Sequence, residues 1–222
     1  MDEVLSGGES VPGFATHYYR ASRAPFLNLS DLPDEQAVAV MAELTRERRE
    51  GAQRRPFGRT YLEMRRTAED RLRQRFTALS GRPERRAPHY FVLGESPWFR
   101  GLAVDMEEIR VPLGDLPGAQ TTVTWGDSFA AMEVTRDFGL AFAQKPYYGR
   151  LYRLADIAGL AARHGIPRPA PEVTRDWQPQ TPRRLSSRSS CGATSRCAAT
   201  SHHAGNYRPA ASPFRVVSDG TV

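Results

Sequence analysis

Two segments in the first half of the chain carry the hydrophobic spacing of amphipathic helices. In residues 33–50, Val38, Met41 and Leu44 recur at three-residue intervals, which predicts a helix with one buried face. In residues 58–79, apolar side chains recur at three- and four-residue spacing, and a Gly-Arg-Pro stop follows. These apolar side chains are Tyr61, Met64, Ala68, Leu72, Phe76 and Leu79. We therefore predict two long helices in the N-terminal half.

Five shorter segments have the alternation and the turn-forming borders that are typical of β-strands. They are residues 14–20, 89–93, 109–113, 121–125 and 147–152. A further helix is predicted over residues 155–164, because Gly165 and Pro167 end it. Since strands and helices do not alternate regularly, we predict an α+β fold with a mixed or antiparallel sheet of about five strands and with helices on one face.

The composition changes abruptly after the last predicted helix. From residue 168 onward Pro, Arg, Ser, Ala and Thr dominate and large aliphatic residues are rare, so this part cannot bury enough apolar surface to fold. We predict a flexible N-terminus over residues 1–10, a single globular domain over residues 11–167, and a disordered basic tail over residues 168–222.

The net charge of +6 changes this picture less than its size suggests. Lys145 is the only lysine among 31 basic residues, a skew that GC-rich codons explain without any nucleic acid. The arginines of the second helix alternate with Glu63, Glu69 and Asp70, which is typical of a solvated helix face. We therefore expect no nucleic-acid partner and leave open a small anionic ligand or an acidic protein partner.

The terminal segments and the cysteines exclude several further classes. No apolar run approaches the roughly 20 residues that span a bilayer, and acids stand where a secretory signal would be basic. Cys191 and Cys197 both lie in the tail, and with His202 and His203 they match no zinc spacing. We expect a soluble cytoplasmic protein without a membrane partner, a metal or a cofactor.

His17 and His89 each stand beside a tyrosine in a predicted strand, in THYYR and PHYF. Paired strands could bring the two imidazoles to one cleft, where they could transfer protons or recognise phosphate. The alternative, which we favour, is that both rings pack within the sheet while their nitrogen atoms find backbone partners.

The loop after the first strand offers groups that could hold an anion. Arg20 and Arg23 supply guanidinium groups, and Asn28 and Ser30 supply loop donors. An equally good interpretation is that Asn28, Ser30 and Asp31 form the turn before the first helix.

Three further positions complete the candidate set. Tyr90 follows His89, and Glu95 places a carboxylate at the end of the same strand. Ser128, with Asp156 and His164 after it, has the chain order of a hydrolase triad. We favour helix capping by Asp127 or Ser128 for that last position.

The motifs THYYRASRAPFLNLSDL and RPERRAPHYFVLGES together resemble a group of hypothetical proteins from high-GC bacteria, a group without an assigned activity, over about residues 11–167. A more distant likeness to ADP-ribosyltransferase-like folds implies a role for His17, Tyr90 and either Glu95 or Glu133 in holding NAD. The serine-containing second motif of those folds is missing here, so that likeness stands at the level of the fold.

Two functional expectations follow. The first is a binding domain without an identifiable catalytic site. The alternative is a small transferase or hydrolase that acts on a nucleotide-like or phosphorylated ligand.

Overall fold

The computed structural model describes residues 10–55, 57–58 and 60–166, and the strand 215–218. The described strands are β1 (Phe14–Arg20), β2 (His89–Leu93), β3 (Met106–Pro112), β4 (Thr121–Thr124), β5 (Tyr152–Arg153) and β6 (Arg215–Ser218). They form one sheet in the order β3-β1-β2-β6-β4-β5, and every neighbouring pair is antiparallel. The α+β prediction is confirmed, and the sheet is antiparallel rather than mixed.

The strand predictions differ from the structure mainly at their ends. The first two strands match β1 and β2, whereas β3 begins three residues earlier than predicted, at Met106. The last predicted strand, over residues 147–152, is represented only by the two-residue β5. The sequence there is rich in tyrosine, and Tyr147 and Tyr148 instead pack edge to face against one another.

One strand lies inside the predicted disordered tail. The strand β6 is formed by Arg215–Ser218, four residues within the segment 168–222 for which the composition predicts disorder. Two adjacent β-branched valines favour an extended backbone there. The rest of the predicted tail, and the predicted flexible residues 1–9, lie outside the described residues.

The three predicted helices are present in the predicted order, and each of their ends lies within three residues of the predicted one. The long helices are α1 (Asp34–Arg49) and α2 (Tyr61–Ala78), and α6 (Ile157–His164) is the C-terminal one. Three single-turn helices, α3 (Pro97–Arg100), α4 (Ser128–Ala131) and α5 (Val134–Asp137), were not predicted. Within the part of the chain that the structure describes, no helix is long and apolar enough to cross a membrane.

The buried face of α1 differs from the predicted one. Val38 is 62% exposed, whereas Ala37 is fully buried and Met41 and Leu44 are partly buried. Residues 37, 40, 41 and 44 fit the helical period as well as the predicted set does. The actual stripe therefore begins one residue earlier, at Ala37.

Hydrophobic clusters cover both faces of the sheet. Phe91 joins Ile157 and Leu160 of α6 in one cluster, while Tyr90 packs against the cluster built on α2. Consecutive strand residues point to opposite faces, so α2 and α6 lie on opposite sides of the sheet. The prediction that all helices share one face is wrong.

Candidate functional site

The candidate site is a cleft that opens where β1 and β2 separate. The two strands are in register only at Ala15–Leu93 and at Thr16–Val92. Beyond these pairs they diverge and leave an open cleft of about 170 Å³. Its walls come from β1, β2, the loop 26–28 and α2, and its lining residues are Thr16, His17, Tyr18, Phe26, Leu27, Asn28, Arg55, Arg65, Pro88, His89, Tyr90, Phe91, Val92 and Phe99.

His17 lies at the point of divergence and bonds to backbone with both ring nitrogens. The backbone N–H of Phe26 donates to His17 Nε2 over 3.0 Å, so Nε2 carries a lone pair rather than a proton. The other nitrogen, Nδ1, lies 3.0 Å from the carbonyl oxygen of Tyr90 and must therefore be the donor. These two bonds fix one neutral tautomer of His17.

Packing reinforces that neutral state. The His17 ring stacks on Phe26 at a centroid distance of 4.4 Å and contacts Phe91 at 5.7 Å. Burial lowers the pKa of His17, and the bond to the Tyr90 carbonyl only partly opposes this effect. The packing interpretation therefore describes His17 well, because neither nitrogen is left for proton transfer to a ligand.

His89 lies on the same cleft and is only 8% exposed. Its ring meets Phe26 edge to face at 5.2 Å. Burial lowers its pKa, and the positive charge of Arg85 and the nearby His17 lower it further, against a smaller opposing effect of Asp31. His89 is therefore neutral at neutral pH, so it can offer a hydrogen bond but little charge.

Arg65 of α2 reaches the cleft from the other side and is held by the loop between β1 and α1. Its Nη2 donates to Asn28 Oδ1 over 2.7 Å, and its Nε donates to Ser30 Oγ over 3.2 Å. Asn28 Oδ1 also accepts from the N–H of Ser30, and Asn28 Nδ2 donates to the carbonyl of Pro88. The predicted turn role of Asn28 is confirmed, and the same side chain also positions a guanidinium group.

The same arginine forms a buried ion pair within α2. Arg65 Nε lies 3.0 Å from Glu69 Oε1, and the two side chains are 15% and 4% exposed. The Tyr90 hydroxyl also donates to Glu69 Oε1 over 3.3 Å, and its ring lies 5.1 Å from the Arg65 guanidinium. Burial alone would lower the pKa of Arg65, but Tyr61, Glu69 and Tyr90 together raise it. Arg65 is therefore cationic whenever the protein is folded.

The cleft as a whole presents cationic and aromatic groups. Arg55 and Arg65 are its charged lining residues, and no Asp or Glu is found among the described residues that line it. The Arg55 guanidinium lies over the Tyr61 ring at 5.0 Å. Such a surface attracts anions and gives a flat ring several stacking partners.

Two of the predicted anion-binding residues lie elsewhere. Arg20 is paired with Asp105 and, over 2.9 Å, with Glu47. Arg23 is paired with Glu43 over 2.8 Å. Neither arginine lines the cleft. Arg20 joins the end of β1 to α1 and to the turn before β3, and Arg23 joins the loop after β1 to α1.

The predicted carboxylates also lie outside the lining. Glu95 is 42% exposed and pairs with Arg100 and Arg110, and Glu133 pairs with Arg136. Of the candidates, the cleft therefore brings together His17, His89, Asn28 and Tyr90.

The possible hydrolase serine is part of a helix start. Asp127 caps α4 by accepting from the N–H of Phe129 over 2.9 Å. Ser128 is fully buried, and its Oγ has no hydrogen-bond partner among the described residues. The capping interpretation is confirmed for Asp127.

Sequence reasoning missed both charged lining residues, Arg55 and Arg65. For Arg65 the signal lay in α2, because Arg65 and Glu69 each follow a residue of the buried stripe, Met64 and Ala68. An arginine and a glutamate four residues apart at the border of an apolar face can form a partly buried pair.

No family model, curated protein or solved structure matches the chain. In the described part of the chain, no group of three or more His, Cys, Asp or Glu side chains lies close enough together to hold a metal ion.

Proposed function

We propose that this protein binds a small anion that carries a flat or apolar group, in the cleft between β1 and β2. The observation that carries the proposal is the lining, where Arg55 and Arg65 stand among aromatic rings and no Asp or Glu is found among the described lining residues. Arg65 is already paired with Glu69 outside the lining, so the test below is made at Arg55. Guanidinium groups bind carboxylates and phosphates through charge-assisted hydrogen bonds. The rings of Tyr18 and Phe99, which stack at 5.7 Å, extend the apolar part of the wall.

The size of the cleft limits what it can enclose. A volume of about 170 Å³ is below the roughly 300–1,000 Å³ of sites that surround a drug-sized ligand. The cleft therefore fits the anionic end of a ligand, with the remainder at the open side. Leu27, which is 68% exposed at the rim, offers that remainder an apolar contact.

Binding has more support than catalysis. A transferase or hydrolase needs a group that can accept or donate a proton at the reacting atom. Both nitrogens of His17 are bonded to backbone, and the carboxylates Glu95 and Glu133 are paired with arginines away from the cleft. Of the candidate bases, His89 alone remains at the cleft, so the enzyme alternative rests on His89.

Calorimetry at low salt with inorganic phosphate, AMP and adenosine tests this proposal. We expect AMP to bind more tightly than phosphate and adenosine to bind weakest, because the charge anchors the ligand and the ring adds stacking. The variant Arg55→Gln should weaken AMP binding by roughly 10- to 100-fold, since a hydrogen bond to a charged group contributes about 1.5–3 kcal/mol.

Arg46→Gln is the matched control, because Arg46 is 66% exposed and, among the described residues, its ion pair is with Glu50 at 3.8 Å. It should bind AMP within about twofold of the wild type. Equal losses in both variants would mean that general positive charge, rather than the cleft, attracts AMP. No binding of phosphate or AMP at millimolar concentration would refute the proposal.

A further inference from the structure

The strand β6 lies in the middle of the sheet although it comes from the far end of the chain. It is antiparallel to β2 on one side and to β4 on the other. Val216 is in register with Phe91 of β2 and with Val123 of β4. Phe91 and Val123 belong to the same buried cluster, so β6 closes the sheet directly beside a hydrophobic core.

Without β6 the sheet would consist of two separate parts. The pairings that remain are β3-β1-β2 on one side and β4-β5 on the other. A gap of two strand spacings, about 10 Å, would separate them. Both borders of this gap would present rows of unpaired N–H and C=O groups, which bind an added strand readily.

The strand is joined to the rest of the domain by a long piece of chain. Roughly fifty residues separate Ile166 from Arg215, whereas connections within domains have a median of about 4–6 residues. A strand so distant along the chain from both of its partners joins the sheet as an added strand rather than as part of a local hairpin.

The segment itself suits such a role. Arg215–Ser218 reads Arg-Val-Val-Ser, and adjacent β-branched residues favour the extended backbone that strand addition requires. We infer that the gap between β2 and β4 is a binding site for an extended peptide strand, which the chain's own residues 215–218 occupy and which a second copy of that segment can enter in exchange.

The inferred strand site adjoins the ligand cleft but is separate from it. His89 and Tyr90 line the cleft and are in register with Ser218 and Val217 of β6. The inference rests on sheet pairing alone and does not depend on the proposed anion binding. Its test therefore uses readouts that need no ligand.

Hydrogen exchange followed by mass spectrometry on the full chain measures whether β6 protects its neighbours. A strand between two partners directs every N–H to one side or the other, so Val216→Pro removes a ladder bond whichever neighbour it faced. We expect the peptides that cover β2 and β4 to exchange at least tenfold faster in this variant. The peptide that covers β3, at the far edge of the sheet, should be unchanged.

Thr221→Pro is the matched control, because it places the same residue beyond the end of β6. It should exchange as the wild type does. Equal exchange of β2 and β4 in the wild type and in Val216→Pro would overturn the inference. Faster exchange of β3 as well would mean general unfolding of the variant, and strand exchange in the cleaved wild-type chain would then decide.

Strand exchange is tested with a labelled peptide of residues 212–222. The peptide should bind to Val216→Pro and restore the protection of β2 and β4, whereas a peptide with the same proline should do neither.

As a test that needs no destabilised variant, a specific protease site between Ala193 and Thr194 is cut in the otherwise wild-type chain. The cut chain should take up labelled peptide at the expense of its own fragment. A folded cut chain that takes up no peptide at millimolar concentration would overturn the inference, and equal uptake of an unrelated peptide would overturn the assignment to residues 215–218.

Discussion

Replacing Glu69 by glutamine tests the buried polar network that holds Arg65 at the cleft. Glu69 is 4% exposed, forms an ion pair with Arg65 over 3.0 Å and accepts a hydrogen bond from the Tyr90 hydroxyl. Glutamine keeps the shape of the side chain and removes its charge. The Arg65 guanidinium then stays buried with neutral partners only.

The expected loss of unfolding free energy depends on the contacts that Arg65 keeps in the variant. Breaking a buried ion pair by removing one partner costs about 3–5 kcal/mol of unfolding free energy. The guanidinium keeps its bonds to Asn28 and Ser30 and its contact with the Tyr90 ring, and the glutamine oxygen still accepts a hydrogen bond. We therefore expect Glu69→Gln to lose about 2–3 kcal/mol, below or at the lower end of that range.

Urea denaturation and thermal melting measure this loss. In a chain of this size, a loss of about 2–3 kcal/mol lowers the melting temperature by roughly 4–12 °C. The control is Glu95→Gln, since Glu95 is 42% exposed in its pairs with Arg100 and Arg110. Exposed ion pairs contribute about 0–1 kcal/mol. Equal stability changes in the two variants would refute the reasoning, because burial would then have no influence on the energy of the pair.

Two further predictions concern β1 and the turn after β2. Burial lowers the pKa of His17, so the contribution of His17 to the unfolding free energy is complete above the unfolded pKa of about 6.5 and falls as the pH drops below that value. Urea denaturation between pH 7.5 and 5 should therefore show a smaller loss of unfolding free energy in His17→Asn than in the wild type. Equal dependence of the unfolding free energy on pH in the two proteins would contradict this prediction. Gly94→Ala should cost about 1–2 kcal/mol, because Gly94 has a φ of +71° and its added Cβ would lie 2.9 Å from Pro12 Cγ. Gly114→Ala, whose Cβ meets nothing within 4 Å, is the control for the urea midpoint, and an equal loss in both variants would contradict the strain argument.

The regular elements were predictable because their signals are local. The α2 stripe from Tyr61 to Phe76 repeats at helical spacing, and the structure buries it as predicted. The strands β1 and β2 stand out because aromatic and β-branched residues lie between turn-forming neighbours. The phase of α1 was less determined, since Ala37 and Val38 both begin a helical period and only the tertiary packing distinguishes between them.

Much of the site could not be predicted because it depends on contacts between distant segments. The positions of His17 and His89 in two predicted strands suggested that the two rings could meet, and both line one cleft together with Tyr90. Arg65 joins them only because α2 crosses behind the loop that carries Asn28, thirty-seven residues earlier in the chain. The pairing of Arg20 with Glu47 and Asp105 likewise depends on where α1 and the turn before β3 come to rest.

The separation of β1 from β2 has a local cause, because the side chain of His17 bonds to a backbone atom of β2 that would otherwise pair with the backbone of β1. At Tyr90 the carbonyl oxygen that a paired strand would use accepts a bond from His17 Nδ1 instead. The loop after β1 completes the arrangement, since Phe26 adopts a φ of +62° and directs its N–H to His17 Nε2. Closing the gap would break both bonds and the 4.4 Å stacking of His17 on Phe26. The cleft is therefore present before any ligand arrives, and a ligand that fits it loses little free energy in ordering the protein.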